Sequence, residues 1–529
     1  MTHFNFRKLL LLSMLTMSSL VSAEEFSPLS ESEIDNVVEK ARSAFNVPGI
    51  AVAIIQGDKI LHAKGYGLRN INKKKKVNAD TLFQIASNSK SMTATALAIL
   101  MDEGKLSWDD KVIDYLPEFR LYDPYVTREF TITDLLTHRS GLPLGAGDLL
   151  FWPDSDNSDL NDIFKALATI KPVSSFRSKY AYDNLMYILA GEIVARVSGM
   201  SWADFIEKRL FKPLGMQKCS AVYNRVSKRA NQATPHIYVD GKYSLSPYAG
   251  ENNDLMAPAG GVNCSVNGVA KWLTMQLAHG KLPNGMQLIS IENHKEMWSP
   301  KTITRATLDE AQGSAVQTVQ YALGWGVYDY MNHQVIGHTG GLGGMLTSML
   351  MVPEKNLGIL VFTNQQNGYA RGAIIAEILQ GLLNQKAEKS FDEYVELSHK
   401  ESSGAKEKMQ KIWDESNTKA THSLPLASYA QEYFDEWYGK IEIKMTDDGL
   451  YFESARSPSL KGKVKHYQYE SFIVEWDDRS LLADAYLMFN LDENGTIVQL
   501  KMKAFDPRTD FSFDFHHLDL KPKIKLESK

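Results

Sequence analysis

Three short groups of residues in this 529-residue chain have side chains that can catalyse acyl transfer. They are Ser87–Lys90, Tyr182–Asn184 and His338–Gly341. A serine hydroxyl becomes a nucleophile when a neighbouring base accepts its proton, and lysine and tyrosine are side chains that can take part in that transfer. In this order along the chain, the three groups predict a serine hydrolase of the Ser-x-x-Lys type.

Context separates these groups from chance matches. The Ser-x-x-Lys pattern recurs at Ser403–Lys406 and Ser416–Lys419, and Tyr-x-Asn recurs at Tyr330–Asn332. Only Ser87–Lys90 is followed by a segment, Ser91–Met101, in which nearly every residue is apolar or small. That composition is typical of a helix buried in the centre of a domain.

Ser87 and Lys90 are three residues apart, so on a helix their side chains share one face, with Cβ atoms about 5 to 6 Å apart. Lysine must be neutral to accept the serine proton. Lowering its pKa from about 10.4 to near 7 costs the charged form about 4 to 5 kcal/mol, which burial of the helix start can supply. We therefore predict that Ser87 is the nucleophile and Lys90 its buried base.

Tyr182 is the candidate for a second proton-transfer group, either as a base toward Ser87 or as a relay to the leaving group. Asn184 is the candidate to hold a substrate amide. The alternative is that both residues only cap the apolar segment Leu185–Val197, which is predicted to be helical. The presence of Ser87 and Lys90 favours the catalytic interpretation.

His338, Thr339 and Gly340 predict a strand edge with little side-chain bulk, along which a peptide-like substrate can lie close to the backbone. The backbone amides of Ser87 and Gly341 are the candidates for an oxyanion hole, and losing one such donor typically lowers a rate about a hundred- to a thousand-fold. The alternative is an ordinary glycine-rich turn.

These motifs resemble those of the serine β-lactamase-like hydrolases, in particular peptidase family S12, over residues 30 to 385. Three further segments support the resemblance, namely Gly65–Gly67, Leu135–Leu142 and Gly337–Gly341. That family contains class C β-lactamases, D-alanyl-D-alanine carboxypeptidases, D-aminopeptidases and related esterases. The resemblance implies a β-lactamase/transpeptidase-like antiparallel sheet with a helical region.

The resemblance also implies a role for each catalytic-type residue. Ser87 is implied to be acylated, with Lys90 as its base partner and Tyr182 as the second base, and His338 is implied to face the substrate. The β-lactamases and carboxypeptidases usually have lysine where this chain has His338. Histidine is largely neutral near pH 7 and gains charge as the pH falls toward 6, so it anchors a carboxylate less well than lysine. This difference favours esterase and D-aminopeptidase activities over β-lactam hydrolysis.

The first part of the chain divides into three predicted segments. Residues 1–23 have basic residues, an apolar stretch and small residues at the cleavage position, as in a secretory signal peptide. Residues 24–385 have strand hairpins at both ends and helices between them, which predicts an α+β hydrolase domain with one antiparallel sheet. Residues 386–423 are densely charged, which predicts a solvated helical linker.

Residues 424–529 alternate between apolar and polar side chains, and turn pairs separate the runs. This pattern predicts a small antiparallel β-barrel. Through Trp437–Gly439 and Asp448–Leu450 the region resembles the lipocalin-like domain that follows some of these hydrolases, which implies an accessory barrel. Because a charged linker separates the two regions, we expect the hydrolase domain to keep its site when residues 424–529 are removed.

Composition excludes several classes of protein. A net charge of −5 with 44% hydrophobic residues is unlike a disordered chain or a basic nucleic-acid binder. No segment after residue 23 is apolar enough to span a bilayer. No group of residues has metal-ligand spacing, and no cofactor is predicted. Cys219 and Cys264, the only cysteines, either pair in an oxidising compartment or are two small buried side chains.

We therefore predict a periplasmic or secreted serine hydrolase that forms a covalent acyl-enzyme at Ser87. Its predicted substrates are amides or esters of small peptides, in particular D-residue peptides, including those derived from peptidoglycan. A class C type β-lactamase is the enzymatic alternative. The alternative from another class is a non-catalytic protein that senses penicillins or cell-wall fragments, and the full set of catalytic-type side chains argues against it.

Overall fold

The computed structural model describes residues 29–154, 158–239, 241–246, 254–306, 318–416 and 419–523. The predicted signal peptide, residues 1–23, lies outside the described residues. Within the described part of the chain, no helix combines the length and the apolar character needed to cross a bilayer.

The α-helices all precede the C-terminal barrel. They are α1 (Glu31–Ala44), α2 (Ser89–Asp102), α3 (Val112–Tyr115), α4 (Pro124–Glu129), α5 (Ile132–Leu136), α6 (Leu160–Thr169), α7 (Asn184–Ser198), α8 (Trp202–Phe205), α9 (Lys212–Leu214), α10 (Ala257–Gly260), α11 (Val266–Leu277), α12 (Ile291–Trp298), α13 (Gly368–Leu383) and α14 (Phe391–Asp414). Residues Ser89–Leu100 of α2 are all buried, because apart from Lys90 their side chains are small or apolar.

The strands of the first domain form one large antiparallel sheet and two short pairs. They are β1 (Gly49–Gln56), β2 (Lys59–Asn70), β3 (Lys75–Lys76), β4 (Phe83–Gln84), β5 (His236–Val239), β6 (Lys242–Leu245), β7 (Asn263–Cys264), β8 (Thr302–Ala306), β9 (Thr318–Tyr321), β10 (Gly326–Tyr330), β11 (His333–Leu342), β12 (Met345–Val352) and β13 (Leu357–Thr363). The large sheet has the order β3-β2-β1-β13-β12-β11-β10-β9-β8, and the short pairs are β4-β7 and β5-β6.

The two predicted hairpins, β1-β2 and β12-β13, meet at the centre of the large sheet. Ile50 of β1 pairs with Thr363 of β13, so strands from the two ends of the domain close the sheet. Both strands are continuous apolar runs because helices cover both faces of the sheet. One core cluster lies under α1 and α13, and another lies on the opposite face around α2 and α11. The predicted α+β class is confirmed.

Cys219 and Cys264 are joined by a disulfide. Of the two alternatives that the sequence left open, pairing is the one that the structure has. Cys264 lies on β7, a few residues after α10. The bond therefore ties the segment that follows α10 to the region around Cys219.

The C-terminal strands form an antiparallel barrel, as the alternating pattern predicted. They are β14 (Glu432–Asp435), β15 (Gly439–Thr446), β16 (Gly449–Ser454), β17 (Lys461–Gln468), β18 (Ser471–Trp476), β19 (Ala485–Leu491), β20 (Ile497–Ala504) and β21 (Lys521–Pro522). Their order is β20-β19-β18-β17-β16-β15-β14-β21. The amide of Leu500 donates to the Leu520 carbonyl at 2.8 Å, which brings β20 near β21 and nearly closes the barrel.

The barrel packs directly on the first domain. Helix α14 lies in the segment predicted as a linker, and near its end Trp413 contacts rings of the barrel. Arg456 of the barrel donates to both carboxylate oxygens of Asp162 at 3.1 Å. A single apolar cluster contains core residues of both regions. The structure thus differs from the expectation of two separable domains, because apolar side chains far apart in sequence share one core.

Candidate active site

Ser87 lies in a tight 3-10 turn, Ala86–Asn88, immediately before α2. The turn is strained, because Ala86 has a left-handed backbone with φ of 48°. Asn88 holds it in place, since its Nδ2 donates to the Ile85 carbonyl at 3.0 Å and to Thr347 Oγ1 of β12 at 2.8 Å. The sequence placed Ser87 on the helix itself. The structure places it two residues before the first residue of α2 and still within reach of Lys90.

Lys90 Nζ has three polar neighbours. It lies 3.1 Å from Ser87 Oγ, 2.7 Å from Asn184 Oδ1 and 2.8 Å from the carbonyl oxygen of Ala259, the third residue of α10. The side chain is fully buried at the start of α2. The spacing-based prediction that Ser87 and Lys90 meet is therefore confirmed by the geometry.

Burial lowers the pKa of Lys90 from 10.5 to about 7, against the opposing influence of the carboxyl groups of Asp148 and Asp183. Removal from water disfavours the charged ammonium, and among the described residues no carboxylate contacts Nζ directly to compensate. A substantial share of the amine is thus neutral at physiological pH. That is the protonation state required of a base.

Tyr182 lines the same cavity as Ser87. Its ring lies 4.8 Å from Lys90 Nζ and packs on the buried imidazole of His138, with ring centroids 4.1 Å apart. Burial raises the pKa of Tyr182 well above its ordinary value. The phenol is therefore neutral, so the site suits it to relaying a proton better than to acting as a phenolate base.

Asn184 opens α7, and both ends of its amide are engaged within the protein. Its Oδ1 accepts from Lys90, and its Nδ2 donates to the two carboxyl oxygens of Asp148 at 3.2 and 3.0 Å. Burial, together with the nearby carboxyl groups of Asp514 and Asp183, raises the pKa of Asp148 well above the usual range. The predicted contact of Asn184 with a substrate amide stays a prediction.

His338 lies on β11 and lines the same cavity as Ser87. Its Nδ1 donates to the Thr339 carbonyl at 2.6 Å, because a carbonyl can only accept, and its Nε2 accepts from the hydroxyl of Tyr321 at 2.8 Å. Burial and the nearby Lys90 lower the pKa of His338 to about 3. The lowered pKa runs against the sequence-based expectation that His338 gains charge near pH 6, because the imidazole is partly buried and lies near Lys90.

Gly340 brings the edge of β11 against the nucleophile turn. A Cβ at this position would overlap the Ile85 carbonyl oxygen, so only glycine permits this approach. Strand β10 pairs with β11 only as far as Gly337, which leaves Thr339 and Gly341 on an edge that lines the cavity beside Ser87. The oxyanion hole proposed for the amides of Ser87 and Gly341 stays a prediction.

The cavity over Ser87 has a volume of about 810 Å³ and mostly apolar walls. One wall comes from the barrel, through residues 480–482, Arg508 and residues 510–513. Phe513 contacts Trp152 with ring centroids 6.1 Å apart, and Trp152 also lines the cavity. The site therefore lies between the two regions of the chain.

Sequence reasoning missed Asp148, Tyr321 and the barrel segment 511–514. Each is a single residue or short run without a motif, so no local signal identifies it. His138 was part of a segment that supported the family resemblance, but its place beneath Tyr182 follows only from the fold. The other Ser-x-x-Lys pairs have no such setting: Ser403 and Lys406 are exposed on α14, as their context predicted.

Two family profiles match the chain. The family described as Beta-lactamase matches residues 34–382, and a domain of unknown function named DUF3471 matches residues 415–522. The first match contains Ser87, Lys90, Tyr182 and His338, and the second contains the whole barrel sheet.

Curated proteins with similar sequences include one fungal and one bacterial relative. Unguisins hydrolase ungD' of Aspergillus campestris is 26% identical over 432 residues, which covers 79% of this chain and 78% of that protein. Protein flp of Staphylococcus aureus (strain COL) is 27% identical over 345 residues, which covers 64% of each chain. The chain thus spans less than two thirds of the length of the second relative.

Solved structures with a similar fold include a penicillin-binding protein homologue and a class C β-lactamase. The octameric penicillin-binding protein homologue from Pyrococcus abyssi has a TM-score of 0.59 and 22% identity, covering 93% of this chain and 100% of that one. A class C β-lactamase from Rhodobacter sphaeroides has a TM-score of 0.54 and 21% identity, covering 66% of this chain and 99% of that one. Since the Beta-lactamase profile covers more than half of the chain, and the serine and lysine meet within it, this protein belongs to the β-lactamase family of serine hydrolases.

Proposed function

We propose that this protein is an exported peptidase or esterase that forms a covalent acyl-enzyme at Ser87 and hydrolyses small amides and esters, in particular D-residue peptides. The geometry at Lys90 Nζ carries this proposal. Two of its three neighbours, Asn184 Oδ1 and the Ala259 carbonyl, can only accept hydrogen bonds. A neutral amine uses its two N–H groups on them, so its lone pair points to Ser87 Oγ, 3.1 Å away.

Acylation then follows from these positions. Lys90 takes the hydroxyl proton while Ser87 Oγ attacks the substrate carbonyl, and the amides of Ser87 and Gly341 hold the oxyanion. When the tetrahedral intermediate collapses, the bond to the leaving amine or alcohol breaks. The proton passes from Lys90 through the neutral phenol of Tyr182 to that leaving group.

Deacylation reverses the same path with water as the nucleophile. Water loses a proton to Lys90, directly or through Tyr182, and its oxygen bonds to the acyl carbon. The ester bond to Ser87 then breaks, and the proton returns to Ser87 Oγ. The products are a free carboxylic acid and the original enzyme.

The neutral state of His338 supports substrates without a carboxylate at that position. Both imidazole nitrogens are engaged, and the ring carries no charge near pH 7. A mostly apolar cavity accommodates apolar side chains better than charged groups. Among the relatives, one is named as a hydrolase of unguisins, which is in keeping with a hydrolase activity.

Export is proposed on two observations. The sequence of residues 1–23 is of the secretory type, and the two cysteines of the chain form a disulfide, which persists in oxidising compartments. A class C β-lactamase activity remains the second candidate, because one structural neighbour is such an enzyme. The histidine at position 338 argues against it.

Labelling with a fluorescent fluorophosphonate tests the proposal. The wild type is expected to label and Ser87→Ala is not, with both proteins equally folded. A panel of D-amino acid amides, short-chain esters and a chromogenic cephalosporin then separates the activities. Turnover of the first two classes supports the peptidase or esterase, turnover of the cephalosporin supports the β-lactamase, and labelling without any turnover supports a sensor.

A further inference from the structure

The barrel segment Phe511–Asp514 holds the loop that carries Asp148. The carboxylate of Asp514 accepts from the backbone amides of Gly147 and Leu149, on either side of Asp148, at 2.9 and 3.0 Å. Ser512 Oγ pairs with Asp148 Oδ2 at 2.9 Å. Both Asp148 and Asp514 are almost completely buried, so water competes little for these contacts.

Asp148 connects this segment to the catalytic lysine through one side chain. Asn184 Nδ2 donates to both oxygens of Asp148, and Asn184 Oδ1 accepts from Lys90 Nζ at 2.7 Å. The contacts therefore run from Ser512 to Asp148, from Asp148 to Asn184, and from Asn184 to Lys90. It starts in the barrel and ends at the proposed base.

The orientation of the Asn184 amide decides what Lys90 can do. If the amide were turned over, its NH2 group would face Nζ and donate to the lone pair that must be free for Ser87. Asp148 prevents this because its oxygens require the NH2 group on their own side. Ser512 contributes by donating from Oγ to Oδ2, which fixes the carboxyl group in the orientation that accepts from Asn184 Nδ2.

We propose that Asp148 and Ser512 are positioning residues of the hydrolase: they fix the amide of Asn184 so that Lys90 directs its lone pair to Ser87. The barrel then contributes a positioning residue, Ser512, to the catalytic centre. This inference rests on the proposed function, since it assigns a role in acylation of Ser87.

A purely structural role of the barrel makes a different prediction. Arg456 also joins the two regions, through Asp162, but it does not line the cavity. If Ser512 only helped to dock the barrel, removing Arg456 would lower activity as much as removing Ser512. Ser471 of β18 gives a matched serine control, because it too lies outside the cavity lining.

The test measures the maximal rate and the apparent affinity of fluorophosphonate labelling separately, in the full-length protein. Asp148→Leu is expected to lower the maximal rate about a hundredfold with unchanged affinity, the loss typical of a misplaced catalytic group. Asp148→Asn keeps an acceptor for Asn184 and is expected to stay within about threefold of wild type. Ser512→Ala is expected to lower the maximal labelling rate about fivefold. Ser512→Thr keeps a hydroxyl and is expected to retain most of the wild-type rate.

The outcomes separate the two proposals. Wild-type rates in Asp148→Leu and Ser512→Ala, or equal losses in Ser512→Ala and Arg456→Ala, would overturn the positioning role and leave the hydrolase proposal intact. Equal losses of labelling rate in Asp148→Leu and Asp148→Asn would also overturn the positioning role, because only asparagine keeps an oxygen that accepts from Asn184. A wild-type protein that does not label at Ser87 would overturn the proposed function and this inference with it. Wild-type behaviour of Ser471→Ala confirms that serine loss in the barrel is not harmful in itself.

Discussion

The ring of Phe511 in the barrel lies edge-on against the ring of Tyr182 in the hydrolase domain, with centroids 5.8 Å apart and an interplanar angle of 80°. The backbone of Phe511 also packs against Gly145, whose amide donates to the Tyr182 carbonyl at 2.9 Å. A residue of the accessory region thus contacts the proposed proton relay itself.

Removal of residues 424–529 is therefore expected to impair catalysis. The deletion exposes one side of Tyr182, frees the loop held by Asp514 and uncovers part of the shared apolar core. We expect a chain that aggregates or labels at least about tenfold more slowly, judged by gel filtration and fluorophosphonate labelling. A monodisperse truncated protein with the wild-type rate would show that the barrel is dispensable.

Replacement of the proton-transfer residues should slow acylation without unfolding the protein. Lys90→Ala and Tyr182→Phe are each expected to lower the labelling rate at least about a hundredfold, the lower range for lost acid–base help. Phe434→Ala, at an exposed phenylalanine of the barrel, is a control that should keep the wild-type rate. Normal rates in both catalytic variants would disprove the proton path.

Acylation by the free enzyme should depend on pH through Lys90. Below its pKa of about 7 the amine is protonated and has no lone pair, so the rate is expected to fall about tenfold for each pH unit on the acid side. Above that pKa the rate should level off. The measurement is the labelling rate constant between pH 5 and 9, and a flat profile across pH 7 would mean that Lys90 is not the titrating base.

The choice between neutral and anionic substrates should not change over the same acid range. Because the pKa of His338 is about 3, its imidazole stays neutral as the pH falls to 6. The ratio of kcat/KM for matched neutral and anionic esters is expected to be constant from pH 8 to 6 in the wild type. In His338→Lys the ratio should shift toward the anionic ester, because a lysine near an anion gains on the order of 1 to 4 kcal/mol at about 4 Å before desolvation.

A ratio in the wild type that moved toward the anionic ester below pH 7 would show that His338 does titrate there. A ratio that stayed unchanged in His338→Lys would show that this side chain does not face the charged group. His338→Gln is the matched neutral control, since the new side chain keeps polar atoms and adds no charge.

Local patterns predicted the parts of the site that depend on neighbours in sequence. Ser87 and Lys90 are three residues apart before an apolar helix, and the glycines after His338 mark a strand edge, so both were identified. The hairpins β1-β2 and β12-β13 followed from runs of β-type residues around short turns. In each case the physical cause acts over a few residues.

The remaining parts depend on contacts between distant segments. Ser512 is 364 residues from Asp148, and neither belongs to a recognisable motif. The neutral state of His338 depends on burial and on Tyr321, which the sequence does not place beside it. The shared core of the two regions was missed for the same reason, since alternation shows which side chains are buried and not what they are buried against.

The path from Ser512 to Lys90 has a consequence for biosynthesis. The nucleophile turn is made early during translation, but the contacts of Asp148 require Ser512 and Asp514, hundreds of residues later. Contacts of such sequence separation form late in folding, because the entropy of closing the intervening chain is lost first. A nascent chain that stops before this segment thus contains Ser87 and Lys90, but the amide of Asn184 is not yet held in place. Ser87 is therefore expected to be acylated efficiently only after the barrel has folded.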